Sequence, residues 1–260
     1  MWAKGYKRIN NIFDLLETHK YLRTWMIAEE LFQFKTGKQK CALVMNNIYQ
    51  KQPKLIKRFT YGSKEYIYHM ENKVSNKWMH WDLINTFHFN LVKQLNDKSL
   101  NNNNLNTDNM YNYRYIINYI LEYNYGYGQA DGFYIVKLSS KKATKFFLEI
   151  DNTPGHFFDK IQKYNYKYES RWQDDYFADP LKSKDVKPEY NTNENALAKL
   201  DDRINKTEVI SNPVFPKIII LTKRVKDINN MIHKDNKHNL KFIIGKLEDG
   251  INNPIDIIQR

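Results

Sequence analysis

The sequence predicts a mixed α+β fold in which a helical first part is followed by a second part of α/β character. Within the first 50 residues, apolar side chains recur at helical spacing in three separate stretches, and two short β-like segments follow them. From residue 111 onward, short apolar segments alternate with helical patterns. That alternation is typical of a mixed sheet with helices on its faces.

Positive charge is concentrated in the first part of the chain. The chain of 260 residues has a net charge of +12, and residues 1–100 hold 17 Lys and Arg against 8 Asp and Glu. A basic segment joined to a nearly neutral one favours nucleic-acid binding by the first segment. The alternative is compositional, because a chain rich in Asn, Lys, Ile and Tyr gains lysines without any function.

The composition also excludes several classes of protein. Cys41 is the single cysteine, so neither an intrachain disulfide nor a cysteine-based zinc site can form. Apolar runs such as residues 218–221 are far too short to cross a membrane. No Walker loop is present, so we expect no nucleotide cofactor. These features predict a cytoplasmic protein without a membrane partner.

The elements of the first part follow a recognisable order. Helical patterns cover residues 9–18, 24–32 and 38–49, and strand-like segments cover 55–59 and 65–70 with a turn between them. Three helices and a hairpin in this order predict a winged helix-turn-helix, whose third helix enters the major groove of double-stranded DNA. The alternative is a small α+β domain without a ligand. The predicted DNA contacts lie on the third helix and the hairpin: Lys38, Gln39, Lys40, Asn46, Lys57, Arg58 and Lys64.

The predicted domains are residues 1–95, an Asn-rich linker at 96–110, and a second domain at 111–260 with an insertion at about 169–212. A helix at 80–95 either packs under the hairpin or forms a homodimer contact. The second domain is predicted to contain a helix at 111–123, strands at 132–138 and 145–151, and a helix at 157–168. A buried strand at 217–222, a helix at 225–233 and a strand at 240–247 complete it.

Three carboxylates mark the candidate site of the second domain. Asp131 opens one predicted strand, and Glu149 and Asp151 project from one face of the next strand because side chains alternate. Grouped carboxylates suit Mg²⁺ or Mn²⁺, which can assist cleavage of a phosphodiester. Lys160 and Lys163, on the following helix, could stabilise phosphate charge. The alternative is that these acids are solvated side chains at strand ends.

Several segments together resemble a known family. They are Ala130-Asp131-Gly132-Phe133, Phe147-Leu148-Glu149-Ile150-Asp151-Asn152-Thr153, Lys160-Ile161 with Tyr164, and the run from Phe215 to Thr222. With the winged helix before them, they resemble the replication-relaxation family of plasmids and other mobile elements. The resemblance covers most of the chain outside residues 169–212. It implies a second domain similar to the PD-(D/E)XK nuclease fold, and DNA binding in replication initiation with nicking or relaxation of DNA.

The sequence departs from the nuclease pattern at two positions. Ala130 stands where a proline is usual, and Asp151 stands where a lysine is expected. Three hypotheses follow. The protein nicks DNA with Asp131, Glu149 and Asp151, or it is a non-catalytic initiator or transcriptional regulator with a degenerate nuclease fold, or it is a transposase-type endonuclease subunit. Replication proteins are the expected further partners.

Overall fold

The computed structural model describes residues 2–32, 37–60, 65–101, 116–137, 143–152, 157–169 and 215–260. The chain divides into two compact units, Met1–Phe89 and Asn90–Arg260. Both contain helices and strands, so the predicted mixed α+β class is confirmed. The division lies a few residues before the predicted domain end at residue 95, inside a long helix.

The first unit combines helices with a small antiparallel sheet. Its elements are α1 (Trp2–His19), β1 (Tyr21–Arg23), α2 (Thr24–Leu31), α3 (Gly37–Lys51), β2 (Lys57–Thr60), β3 (Tyr66–His69) and the start of α4 (Trp78–Asn101). The strand order is β1-β3-β2. The sequence analysis does not predict β1, because three residues are too few to show strand alternation. Lys20, with a φ of 62°, turns the chain from α1 into this strand.

Apolar side chains from the helices and the sheet of the first unit share one core. Ile12, Met26, Cys41 and Met45 are fully buried in it. Because α1, α2 and α3 each contribute at helical spacing, the periodicity predicts these helices correctly.

A buried polar cluster joins α1, β1 and α4 within the first unit. Asn85 is fully buried, and its Oδ1 accepts a hydrogen bond of 2.9 Å from His19 Nδ1. Its Nδ2 donates to the carbonyl oxygens of His19, at 2.8 Å, and Tyr21, at 2.7 Å. All the hydrogen-bonding atoms of the Asn85 amide group are thus used to hold the end of α1 and the start of β1.

The second unit has a five-stranded sheet with strand order β4-β5-β6-β7-β8. Strands β4 to β6 pair antiparallel, whereas β6, β7 and β8 pair parallel. After α4 the elements are β4 (Ile116–Asn124), β5 (Gln129–Lys137), β6 (Ala143–Asp151), α5 (Phe157–Glu169), β7 (Lys217–Thr222), α6 (Val225–Asp235), β8 (Phe242–Lys246), α7 (Leu247–Asn252) and α8 (Pro254–Gln259).

The helix predicted at residues 111–123 is wrong where the structure describes it, because residues 116–124 form β4. Ile116, Ile117, Ile120 and Leu121 fit helical spacing, but tyrosine and isoleucine favour strands, and pairing with β5 decides the outcome. Gly126, with a φ of 89°, lies in the β4–β5 hairpin connection.

Other boundaries also differ from the prediction. Asp131 is the third residue of β5 and does not open the strand. The last strand ends at Lys246, and α7 and α8 follow it without having been predicted. The predicted linker begins inside α4, which is helical to Asn101, and residues 102–110 lie outside the described residues. Of the predicted insertion, residues 170–212 also lie outside them.

Alternation along β6 places the candidate site. Phe147 belongs to a core cluster that also contains Phe133, Ile161 and Ile220. Glu149 and Asp151 lie on the same face of β6 as Phe147, two and four residues further along. Gly132 of β5 pairs with Leu148 of β6. Asp131 precedes Gly132 and Glu149 follows Leu148, so the two acids are neighbours on adjacent antiparallel strands. The sheet therefore brings the three acids to one edge.

Candidate functional site

The three carboxylates of this edge, Asp131, Glu149 and Asp151, are buried. Their exposed fractions are 8%, 0% and 9%. The alternative of solvated strand-end acids is therefore wrong for this structure. Because a buried carboxylate is costly unless it is paired, the partners of each acid determine what the site can do.

Glu149 is bound at both of its carboxylate oxygens. Tyr164 of α5 donates a hydrogen bond of 2.7 Å to Oε1, and the Lys160 ammonium group binds Oε2. The same ammonium nitrogen lies 4.0 Å from Asp131 Oδ1. The backbone N–H of Ile150 donates to Asp131 Oδ2 at 2.6 Å. One turn of α5 therefore supplies the cation and the hydroxyl that satisfy the buried acids.

The environment shifts the pKa values of this pair. Burial raises the pKa of Glu149 to about 7, with Lys160 acting against that rise and Asp131 adding to it. Burial acts to lower the pKa of Lys160, but the negative charges of Glu149 and Asp131 outweigh it, and the pKa is raised. Because the pKa of Lys160 is raised, its ammonium group stays protonated at neutral pH beside a buried carboxyl group whose pKa is also raised. Perturbed groups of this kind cluster at functional sites.

Asp151 has different hydrogen-bond partners. Thr222, at the end of β7, donates a hydrogen bond of 2.7 Å to Asp151 Oδ2. Arg224 donates from Nη2 to both carboxylate oxygens, at 2.9 Å each. Asp151 is therefore hydrogen-bonded to different residues from those that bind Asp131 and Glu149, although its charge still acts on Lys160.

The three predicted metal ligands have two different sets of partners in the structure. Among the described residues, no group of three His, Cys, Asp or Glu side chains could hold a metal ion. Asp131 and Glu149 remain as a pair of facing carboxylates. This pair fits Mg²⁺ or Mn²⁺, because such ions often take one or two protein carboxylates and complete their shell with water and phosphate. In the structure the Lys160 ammonium group bridges the two carboxylates.

The two predicted site lysines of α5 have different surroundings. Lys160 contacts Glu149 and Asp131, and its predicted role in stabilising phosphate charge stays a prediction. Lys163 is exposed, and its Cδ lies 3.0 Å from the position that a Cβ on Gly128 would take, so its side chain passes beside the β4–β5 hairpin.

The site residues predicted from the sequence do not include Tyr164, Thr222 and Arg224. Tyr164 has a helical signal, since it lies four residues after Lys160 and shares its face of α5. Thr222 and Arg224 come at the end of a predicted parallel strand, and parallel strands end at the same sheet edge. That rule could have placed both beside Asp151.

The residues predicted to contact DNA lie on α3 and β2. Lys38, Gln39 and Lys40 are exposed at the start of α3. The Lys38 side chain is 67% exposed and lies 3.5 Å from Glu65. Lys57 donates to the carbonyl and the side-chain oxygen of Asn72, at 3.1 Å each. Lys64 lies outside the described residues.

Arg58 fixes α3 against the hairpin. Its guanidinium carbon lies 4.1 Å from the ring centres of both Tyr49 and Tyr66. Its Nη1 donates a hydrogen bond of 3.1 Å to Asn46 Oδ1. Arg58 and Asn46 are thus bonded to each other, and the exposed residues at the start of α3 form the more open basic surface.

Comparison of the chain with family models, with curated proteins and with solved structures finds no match. In the described part of the chain, no helix is long and apolar enough to cross a membrane.

Proposed function

We propose that the chain is a DNA-binding protein in which a winged helix-turn-helix precedes a PD-(D/E)XK nuclease-like domain. It would act at a DNA site of a plasmid or mobile element, in replication initiation or relaxation. The observation that carries the proposal is the first unit's element order, α1-β1-α2-α3-β2-β3, with the β1-β3-β2 sheet and a basic start to α3.

The chemistry of α3 supports contact with duplex DNA. Lys38 and Lys40 place cations where phosphates can approach, and the Gln39 amide can both donate and accept hydrogen bonds. The Arg58 stack with Tyr49 and Tyr66 holds α3 against the hairpin, so the surface is preorganised.

We expect Lys38→Gln and Lys40→Gln each to weaken binding to duplex DNA and to lower the slope of log affinity against log salt by about one unit. The reason is that each lost phosphate contact releases one fewer counterion. Fluorescence anisotropy at several salt concentrations measures both quantities. Lys77→Gln, an exposed lysine outside α3 and the hairpin, is the matched control. Equal slopes in all four proteins would show that α3 does not face DNA.

A second candidate function is metal-dependent DNA nicking by the second unit. The observation that favours it is the buried Glu149 carboxylate bound by Lys160 at a sheet edge, with Asp131 on the neighbouring strand. A divalent cation held by Asp131 and Glu149 would supply Lewis-acid stabilisation of phosphodiester charge. The nuclease pattern has a lysine at the position of Asp151, and Lys160 of α5 would take the role of that lysine. Without nicking, the same architecture supports the initiator or regulator hypothesis.

Nicking of supercoiled plasmid with Mg²⁺ or Mn²⁺ tests this candidate. We expect Glu149→Gln and Lys160→Met each to slow nicking by about 100-fold, because each removes a charged group from the site. Asp159→Asn is the control, since Asp159 is an exposed acid in the first turn of α5. Nicking that persists in Glu149→Gln would exclude this site. Tight plasmid binding without nicking by the wild type would leave a non-catalytic DNA-binding protein.

A further inference from the structure

We infer that Arg224 is a phosphate-binding residue of the second unit and that Asp151 and Thr222 hold it in position. The inference rests on the proposed DNA-binding function and adds to it a contact from the second unit. It also gives Asp151 a role other than the predicted one of metal ligand.

Arg224 is fixed by a closed set of hydrogen bonds, which we call the Arg224 clasp and define as Asp151, Thr222 and Arg224. Its Nη2 donates to Asp151 Oδ1 and Oδ2 at 2.9 Å each, and its Nε donates to Oδ2 at 3.3 Å. Thr222 Oγ1 donates to Asp151 Oδ2 at 2.7 Å and accepts from the Arg224 backbone N–H at 2.9 Å. Side chain and backbone are therefore both held.

The clasp leaves part of the guanidinium available. Nη1 makes no hydrogen bond within the part of the chain that the structure describes, and the Arg224 side chain is 30% exposed, against 5% for Asp151. An arginine has five donors in a planar fork that matches phosphate oxygens. Because Nε and Nη2 are bonded to Asp151, Nη1 is the guanidinium group that can donate to an anion, and the side chain is already held in place.

The register of the sheet puts this donor at the acid-bearing edge. Glu149 pairs with Ile220 and Asp151 pairs with Thr222, so β6 and β7 end together. In the nuclease pattern that the sequence resembles, a lysine stands at the position of Asp151 and carries a cation on the strand itself. In this chain, Arg224 places a guanidinium cation at the same edge, just after the end of β7.

The test measures binding of the full chain to a duplex oligonucleotide over a range of salt concentrations. Arg224→Gln should weaken binding about tenfold and lower the salt slope by about one unit. Arg224→Lys should keep the slope, because the charge remains, but bind more weakly, because a lysine cannot match the planar fork. Thr222→Val keeps every charge and loosens the clasp, so it should weaken binding with the slope unchanged.

Lys234→Gln is the matched control, because it removes the same charge from an exposed site at the opposite end of α6. Thermal unfolding of each variant shows whether it is folded. If Arg224→Gln is not folded, the test rests on Arg224→Lys, for which the inference predicts weaker binding with an unchanged slope. An Arg224→Gln slope equal to that of the wild type, beside a lowered slope in Lys38→Gln, would overturn this inference and leave the proposed function standing. Absence of DNA binding by the wild type would overturn both.

Discussion

Replacing Asn85 by alanine is expected to lower the free energy of unfolding of the first unit by about 3 to 5 kcal/mol. The substitution removes three buried hydrogen bonds, which join Asn85 to the His19 ring and to the carbonyl oxygens of His19 and Tyr21. It leaves a ring N–H and two carbonyl groups without this partner at a site that water does not reach. A loss of this size is a large fraction of the stability of an ordinary domain.

Urea denaturation followed by circular dichroism measures this effect. Thr86→Val, the next residue of α4, is the control, because it removes one hydrogen bond to the Asp82 carbonyl oxygen within the helix. We expect that variant to lose less than about 1 kcal/mol. Equal stabilities of the Asn85→Ala and Thr86→Val proteins would contradict the arrangement of the buried polar cluster.

The second large effect is an acid lability of the first unit. Burial lowers the pKa of His19 from 6.5 to about 4, and burial and the neighbouring His19 lower the pKa of His88 well below 6.5. The unfolded chain therefore binds protons more readily than the folded unit between these pH values. Stability is fully present above pH 6.5 and falls as the pH drops toward 4. For His19 alone the loss amounts to about 3 kcal/mol.

Denaturation midpoints of the first unit between pH 7.5 and 4.5 test this expectation. His19→Gln should flatten the dependence, because glutamine does not titrate, whereas His233→Gln, at an exposed position of α6, should leave it unchanged. A midpoint for the first unit that stays constant across this range would refute the buried, neutral state of both imidazoles.

The second unit gives an internal comparison. Burial raises the pKa of Glu149 to about 7, so this carboxyl group holds its proton more tightly in the folded state than in the unfolded chain. Its contribution favours the folded second unit at low pH and is lost as the pH rises toward 7. Glu149 and the two histidines therefore act in opposite directions on acidification.

The sequence was most informative where one interaction decides the local structure. The apolar run of residues 217–222 corresponds residue for residue to β7, because a strand buried on both faces has no competing pattern. Residues 116–124 show the opposite case. Their isoleucines and leucine fit a helix by spacing, and pairing with β5 overrides that signal. Helix-period arguments fail where tertiary pairing supplies the stabilisation.

In the candidate site, too, some features could be predicted from local sequence, and others depend on distant residues. Alternation along β6 correctly predicts that Glu149 and Asp151 share a face. Lys160 is a predicted site residue, but its ion pair with Glu149 is seen only in the structure. That Asp151 and Glu149 have different partners could not be predicted from their spacing. It depends on Thr222 and Arg224, which lie more than 70 residues further along the chain.

The parallel pairing of β6 with β7 also bears on how the site forms during folding. Asp131, Glu149, Lys160 and Tyr164 all lie between residues 129 and 169, on β5, β6 and α5, so a hairpin and one helix bring them together. The Arg224 clasp joins residues that lie more than 70 positions apart in the chain, and bringing distant residues together costs chain entropy before their contacts form. A partly folded chain can therefore hold the Glu149–Lys160 pair while Asp151 still lacks its arginine.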